Sequence, residues 1–156
     1  MSELLIGNPA PDFALPASTG KKVKLSQFAG KKVVLFFYPQ DLTPTCTAEA
    51  CDFRDGIGRF RRNGAVVLGI SPDPVKQHNK FAEQYELPYP LLSDEELQVC
   101  KLYDVWKLKK LYGREYMGVQ RSTFLIDRDG RLVQEWRNVR IKGHVDAVLA
   151  AVKALG

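Results

Sequence analysis

The chain has 156 residues, of which 45% are hydrophobic and 26% charged, with a formal net charge of +5. That length and balance suit one globular domain, here residues 1–156, with a core large enough to need no covalent staples. Three cysteines and two histidines are too few for a disulfide framework, and no zinc-like spacing joins them.

The start, M-S-E-L-L-I-G-N-P, lacks the basic flank and long apolar run of a secretory signal, and no stretch approaches membrane-spanning length. A cytoplasmic chain without a membrane role is therefore expected, with cysteines kept for chemistry rather than for structure. The basic residues are spread, around 21–22, 59–62, 107–110 and 137–142. They read as solvated surface, with no nucleic-acid motif beside them.

Residues 13–15 and 22–25 are short strand candidates separated by a Pro/Ser/Gly turn, which predicts an N-terminal hairpin. Ser26 is the expected cap of a single turn ending at Gly30. Residues 33–38, V-V-L-F-F-Y, predict a fully buried strand. Pro39 and Pro44 interrupt it, and helical spacing follows over 45–62, closed by Asn63-Gly64. Residues 65–70 predict a second buried strand, Ser71-Pro72-Asp73-Pro74 a turn, and 75–85 an amphipathic helix. A short strand at 89–92 and a helix at 95–105 come next. The basic, aromatic stretch 107–120 reads as a long loop. Residues 122–127 and 132–136 flank Arg128-Asp129-Gly130 as an antiparallel hairpin. Residues 143–155 close the chain as a helix. This order predicts an α/β fold with a central mixed β-sheet flanked by helices, in the sequence of a thioredoxin-like domain.

Cys46 falls where the helix after Pro44 begins. Thr43 is a good N-cap and Pro44 fits the first helical position. Unpaired amides and the positive end of the helix dipole there favour a thiolate. A buried, inert packing cysteine is the other reading. Cys51 lies five residues further on. In an unbroken helix that spacing puts Cα atoms roughly 8.5 Å apart, whereas a disulfide spans at most about 7 Å. Either Cys51 packs on the core, or pairing with Cys46 requires the first turns to unwind. Cys100, with Leu97, Val99 and Tyr103 around it, reads as a packing residue or as a second candidate to pair with Cys46.

The pattern Pro39-x-x-x-Thr43-x-x-Cys46 resembles the active-site signature of peroxiredoxins. The run T-P-T-C-T-A-E-A-C-D-F-R-D at 43–55 is similar to that of the bacterioferritin-comigratory-protein group, also called PrxQ. G-N-P-A-P-D-F at 7–13, Y-G-R-E-Y-M-G-V at 112–119 and R-S-T-F-L-I-D at 121–127 agree in order.

The resemblance implies a thioredoxin-like peroxiredoxin fold with an N-terminal hairpin extension. It also implies reduction of hydrogen peroxide and organic hydroperoxides without cofactor or metal. Cys46 matches the peroxidatic cysteine, Thr43 the threonine that orients the peroxide, and Arg121 the arginine beside the thiolate. Pro39 matches the shielding proline, and Cys51 the resolving cysteine of members that carry it in the same helix. Glu49, one turn beyond Cys46, is placed to hold Arg121. A thioredoxin-like dithiol would be the reductant, and the group suggests a monomer. An apolar lip for larger hydroperoxides is expected from 107–120, with Tyr116 in it. A general thiol–disulfide oxidoreductase is disfavoured because no C-x-x-C occurs. A basic nucleic-acid-associated protein with incidental cysteines is the reading from another class.

Overall fold

A computed structural model describes residues 4–156. Five strands form the central sheet. Its middle strand, β3 (Lys32–Phe37), is buried at every position; after Lys32 it is the uncharged, apolar run that a strand covered on both faces requires. It pairs in parallel with β4 (Ala65–Ser71) and antiparallel with β8 (Ser122–Ile126). β5 (Leu91–Ser93) extends the parallel side, and β9 (Leu132–Arg137) the antiparallel side. The sheet is mixed, as expected.

Alternation along β3 divides the core into two layers. Val33, Leu35 and Phe37 face one layer with Phe13, Leu92, Val99, Cys100, Tyr103 and Phe124. Val34, Phe36 and Tyr38 face the other with Cys46, Ala50, Phe53, Phe81 and Val148. The first layer is covered by the hairpin β1 (Ala14–Pro16) and β2 (Lys22–Lys24) and by α3 (Gln98–Leu102). The second is covered by α1 (Pro44–Arg62), α2 (Val75–Tyr85) and α4 (His144–Ala154). Each fully buried aromatic of these layers contributes about 1.5–3 kcal/mol relative to exposure.

α1 is seated on the sheet by rings. Phe53 stacks on Phe36 at 4.6 Å between centroids. Tyr89 meets the same Phe36 edge-on at 5.7 Å and donates its hydroxyl to the Ala50 carbonyl at 2.6 Å. A Cβ at Gly69 would stand 2.9 Å from both Phe36 Cζ and Leu91 Cδ2, so glycine there lets the Phe36 ring lie flat against β4.

The stretch 107–120 is not a loop. It forms a two-stranded hairpin of β6 (Trp106–Leu111) and β7 (Arg114–Val119), in register from Trp106–Val119 to Leu111–Arg114. Tyr112 and Gly113, at φ 52° and 74°, make the two-residue connection. Such turns need left-handed backbone at both positions, which Asn-Gly advertises and Tyr-Gly does not. The helix expected at 95–105 is confined to α3. Leu97 at φ 63° precedes it and Asp104 at φ 55° follows it. The Asp94 carboxylate accepts from the amides of Val99 and Cys100. Ser26 does not cap the turn Leu25–Phe28, whose cap position is Lys24; its amide donates instead to Asp12 Oδ1.

Candidate active site

The carboxyl end of β3 leads through residues 38–43 into α1. The antiparallel pairing of Phe37 with Ser122 brings the start of β8 alongside. Arg121, immediately before β8, therefore arrives at the first turn of α1 from 75 residues away in sequence. The buried positions of α1 are Cys46, Glu49, Ala50, Phe53 and Phe60, a helical stripe that turns Cys46 and Glu49 inward together.

Arg121 Nη2 donates to Cys46 Sγ at 3.2 Å, and its Nη1 donates to Glu49 Oε1 at 2.7 Å. One planar guanidinium thus spans the sulfur and the carboxylate, a geometry that lysine cannot copy. Cys46 is only 2% exposed, so its place at the helix start does not open it to solvent. Its burial comes from the inward stripe of α1, and the sulfur meets a cation there rather than a purely apolar wall.

Glu49 has no exposed surface, and its Oε2 has no hydrogen-bond partner. Burial lifts its carboxyl to about 7 against the opposing pull of Arg121. The Arg121 guanidinium, itself penalised by burial, is held above its ordinary value by Glu49 and by Cys46. His144, at the start of α4, is 6% exposed and pairs through Nε2 with Thr123 Oγ1 at 2.7 Å. Burial and the nearby Arg121 charge lower it to about 4, so it stands as a neutral neighbour behind the arginine. Sequence reasoning missed His144, because nothing local links it to Cys46.

Thr43 occupies the N-cap position with Pro44 after it, but its side chain makes no cap bond. Its hydroxyl donates instead to the Gln40 carbonyl at 2.9 Å. Pro39 is half-buried and lines a groove of about 420 Å³ whose wall mixes apolar Leu108, Leu111, Tyr116 and Val139 with basic Lys107, Lys109, Lys110 and Arg121. The 107–120 segment therefore does reach the site, as a hairpin.

Cys51 is half-buried in α1. Burial pushes its thiol up, with Arg54 opposing and Asp55 and Asp52 adding. Cys100 lies in the layer across the sheet from Cys46, with no exposed surface. Burial first, then Asp94, drives its thiol far up.

Asp41, Asp73 and His78 bring ligand-type atoms within 4.8 Å of one another. Those atoms are engaged with one another and with neighbouring main chain and hydroxyls, which suits a closed hydrogen-bond network better than a metal.

The AhpC/TSA family pattern matches residues 6–135. Peroxiredoxin Bcp of Bacillus subtilis is 53% identical over 148 residues, covering 95% of this chain and 94% of that protein. Peroxiredoxin Bcp of Escherichia coli K12 is 40% identical over 153 residues, covering 98% of each. A structure of the Xanthomonas campestris bacterioferritin comigratory protein, described for its alkyl peroxide reduction activity, superposes with a TM-score of 0.90. It is 41% identical and covers 99% of this chain and 98% of that one. The Mycobacterium tuberculosis protein BcpB gives a TM-score of 0.87 at 39% identity, covering 99% of each. A buried cysteine gripped by an arginine at a helix start, on this sheet and with these relatives, has one consistent reading: the chain belongs to the AhpC/TSA family, in its peroxiredoxin Bcp (PrxQ) group, and is a thiol peroxidase.

Proposed function

We propose that Cys46 is the peroxidatic nucleophile, that Arg121 and Thr43 align the peroxide, and that Cys51 resolves the product. The Cys46 thiolate attacks one peroxide oxygen. An S–O bond forms, the O–O bond breaks, and the departing alkoxide or hydroxide takes a proton to leave as alcohol or water. The resulting sulfenic acid condenses with the Cys51 thiol, releasing water and forming a disulfide. A thioredoxin-like dithiol returns both sulfurs to thiols by exchange.

The observation that carries this reading is the Arg121 Nη2 to Cys46 Sγ contact at 3.2 Å. A guanidinium within hydrogen-bond reach of the sulfur has further donors to offer the oxygens on which charge develops in the transition state. The Thr43 hydroxyl, committed as donor to Gln40, meets the peroxide as an acceptor and takes its O–H. Pro39 closes the pocket against water, and Glu49 fixes the arginine. Cys51, with its raised thiol, suits the second step rather than the first.

The groove along β6 and β7 supports organic hydroperoxides as substrates beside hydrogen peroxide. The proposal extends, on the likeness to the PrxQ group, to a single-domain cytoplasmic monomer; separately, no helix among the described residues is long and apolar enough to cross a membrane.

The test is peroxide consumption by the reduced chain with a thioredoxin system, followed by a disulfide map. Loss of turnover in Cys46→Ser and a Cys46–Cys51 bridge in the wild type are expected. A bridge through Cys100, or turnover that survives Cys46→Ser, would remove the assignment.

A further inference from the structure

Asp41 lies in the segment that joins β3 to α1, and the chemistry above gives it no part. It is 3% exposed, yet it is bound on three sides. Its Oδ1 accepts from Tyr38 Oη at 2.6 Å, its Oδ2 meets His78 Nδ1 at 2.6 Å, and its amide donates to Asp73 Oδ2 at 2.7 Å. His78, on α2, has no exposed surface, and its Nε2 meets the Leu92 carbonyl on β5 at 2.9 Å. A carbonyl only accepts, so Nε2 carries hydrogen, and one proton is shared between Nδ1 and Oδ2. Burial above all holds the Tyr38 phenol well above its ordinary value, so it stays a donor. Asp73 is braced in turn, accepting from Ser71 Oγ at 2.7 Å and, through its carbonyl, from Ser93 Oγ at 2.6 Å.

The chain between Pro39 and Thr43 is thus moored by one side chain and its amide to Tyr38 just past β3, to the turn before α2, to α2 and, through His78, to β5. Leu42, the next residue, is a non-glycine at φ 65°. Such a conformation persists only where its surroundings over-determine it. The Asp41 network supplies that constraint directly upstream of the first turn of α1.

We propose that the Asp41–His78 pair is a latch that holds residues 39–46 in the geometry of peroxide attack and sets how readily the first turn of α1 opens. This rests on the reading of Cys46 and Cys51 given above, because their helical spacing cannot be bridged until that turn unwinds. Asp41 and His78 are positioning residues. They touch neither sulfur and act through the segment that carries Thr43. A tight latch favours attack and delays resolution; a loose one does the reverse. A buried, fully paired network is well suited to that control, because partial loss leaves an unpaired polar group and releases the segment.

The experiment uses the full-length reduced chain and three variants. In Asp41→Asn the amide oxygen still accepts from Tyr38, and the amide nitrogen donates to a neutral His78 ring, so the latch survives. Asp41→Ala removes it. Asp41→Ala/His78→Leu removes both polar partners at once, a change that buried sites tolerate better than loss of one, and it replaces the single variant should that fail to fold.

Amide hydrogen exchange without peroxide is expected to quicken at least tenfold over 39–47 in Asp41→Ala, and to stay near wild type in Asp41→Asn. In single-turnover oxidation the first step slows severalfold and disulfide formation speeds severalfold. Unchanged exchange over 39–47, equal acceleration throughout β3, β4 and α4, or an Asp41→Asn variant as fast as Asp41→Ala would each overturn the latch. A local exchange change in a chain that consumes no peroxide would retain the latch and refute the peroxidase assignment. Turnover with no local change would do the opposite.

Discussion

Glu49 and Arg121 form an ion pair that is satisfied on one side only. Oε1 receives the guanidinium at 2.7 Å, while Oε2 is buried with no partner. An orphaned buried oxygen is costly, and here it stands one helical turn from the Cys46 sulfur. The pair fixes the plane of the guanidinium so that its other arm reaches Cys46.

Arg121→Lys keeps the charge but cannot hold Glu49 and Cys46 together. Loss of one preorganised donor of this kind costs about 10²-fold or more in rate. The second-order rate of peroxide reduction is expected to fall by about that factor, with the fold intact by circular dichroism. A lysine variant within severalfold of wild type would show that charge alone suffices.

Much of this arrangement was legible in the sequence, for physical reasons. The uncharged run 33–38, the Pro44 helix start and the one-turn spacing of Cys46 and Glu49 are local signals, and the structure keeps them. Arg121 was reachable only through resemblance, because no local pattern marks an arginine before a strand as a partner of residue 46. The hairpin at 106–119 was hidden because its strands carry lysines and its turn uses Tyr112 where asparagine is usual. The Asp41–His78 contact spans 37 residues and joins a loop to a helix, so neither residue announces the other. The sequence left Cys46 between a reactive and a buried packing reading, because its burial depends on how α1 is rolled against the sheet by Phe36, Phe53 and Tyr89.

The cysteines separate by layer. Cys51→Ser is expected to stop recycling by a thioredoxin-like donor, leaving a sulfenic acid that peroxide drives on to sulfinic acid. Cys100→Ser places a hydroxyl beside the Asp94 carboxylate, which can accept from it, and should leave turnover close to wild type. Mass spectrometry of the oxidised variants and steady-state turnover read these outcomes. Loss of recycling in Cys100→Ser, with Cys51→Ser active, would reverse the roles.

The groove beside Arg121 has room beyond what hydrogen peroxide needs, and the half-exposed Tyr116 forms part of its wall. Tyr116→Ala is expected to lower the rate with an alkyl hydroperoxide severalfold while changing the rate with hydrogen peroxide little. Paired rate measurements on the two substrates test this. An unchanged ratio would place the organic part of the substrate elsewhere.

Stability against pH tests the buried pair around Arg121. Glu49 sits at about 7 against an ordinary 4.5, lifted by burial. The folded chain therefore holds its proton more tightly than the unfolded chain. The contribution of Glu49 is complete below about 4.5 and is lost as pH rises through about 7. His144 runs the other way, at about 4 against an ordinary 6.5, lowered by burial and then by Arg121. Its contribution is complete above about 6.5 and is lost as pH falls through about 4. Between about 4.5 and 6.5 the two slopes oppose each other. Relative to wild type, Glu49→Gln should therefore become more stable as pH rises across that window, and His144→Phe less stable. Urea midpoints taken at several pH values would measure both differences. Parallel curves for all three proteins would mean that neither group changes its proton affinity on folding, and that the orphaned oxygen of Glu49 is relieved in solution.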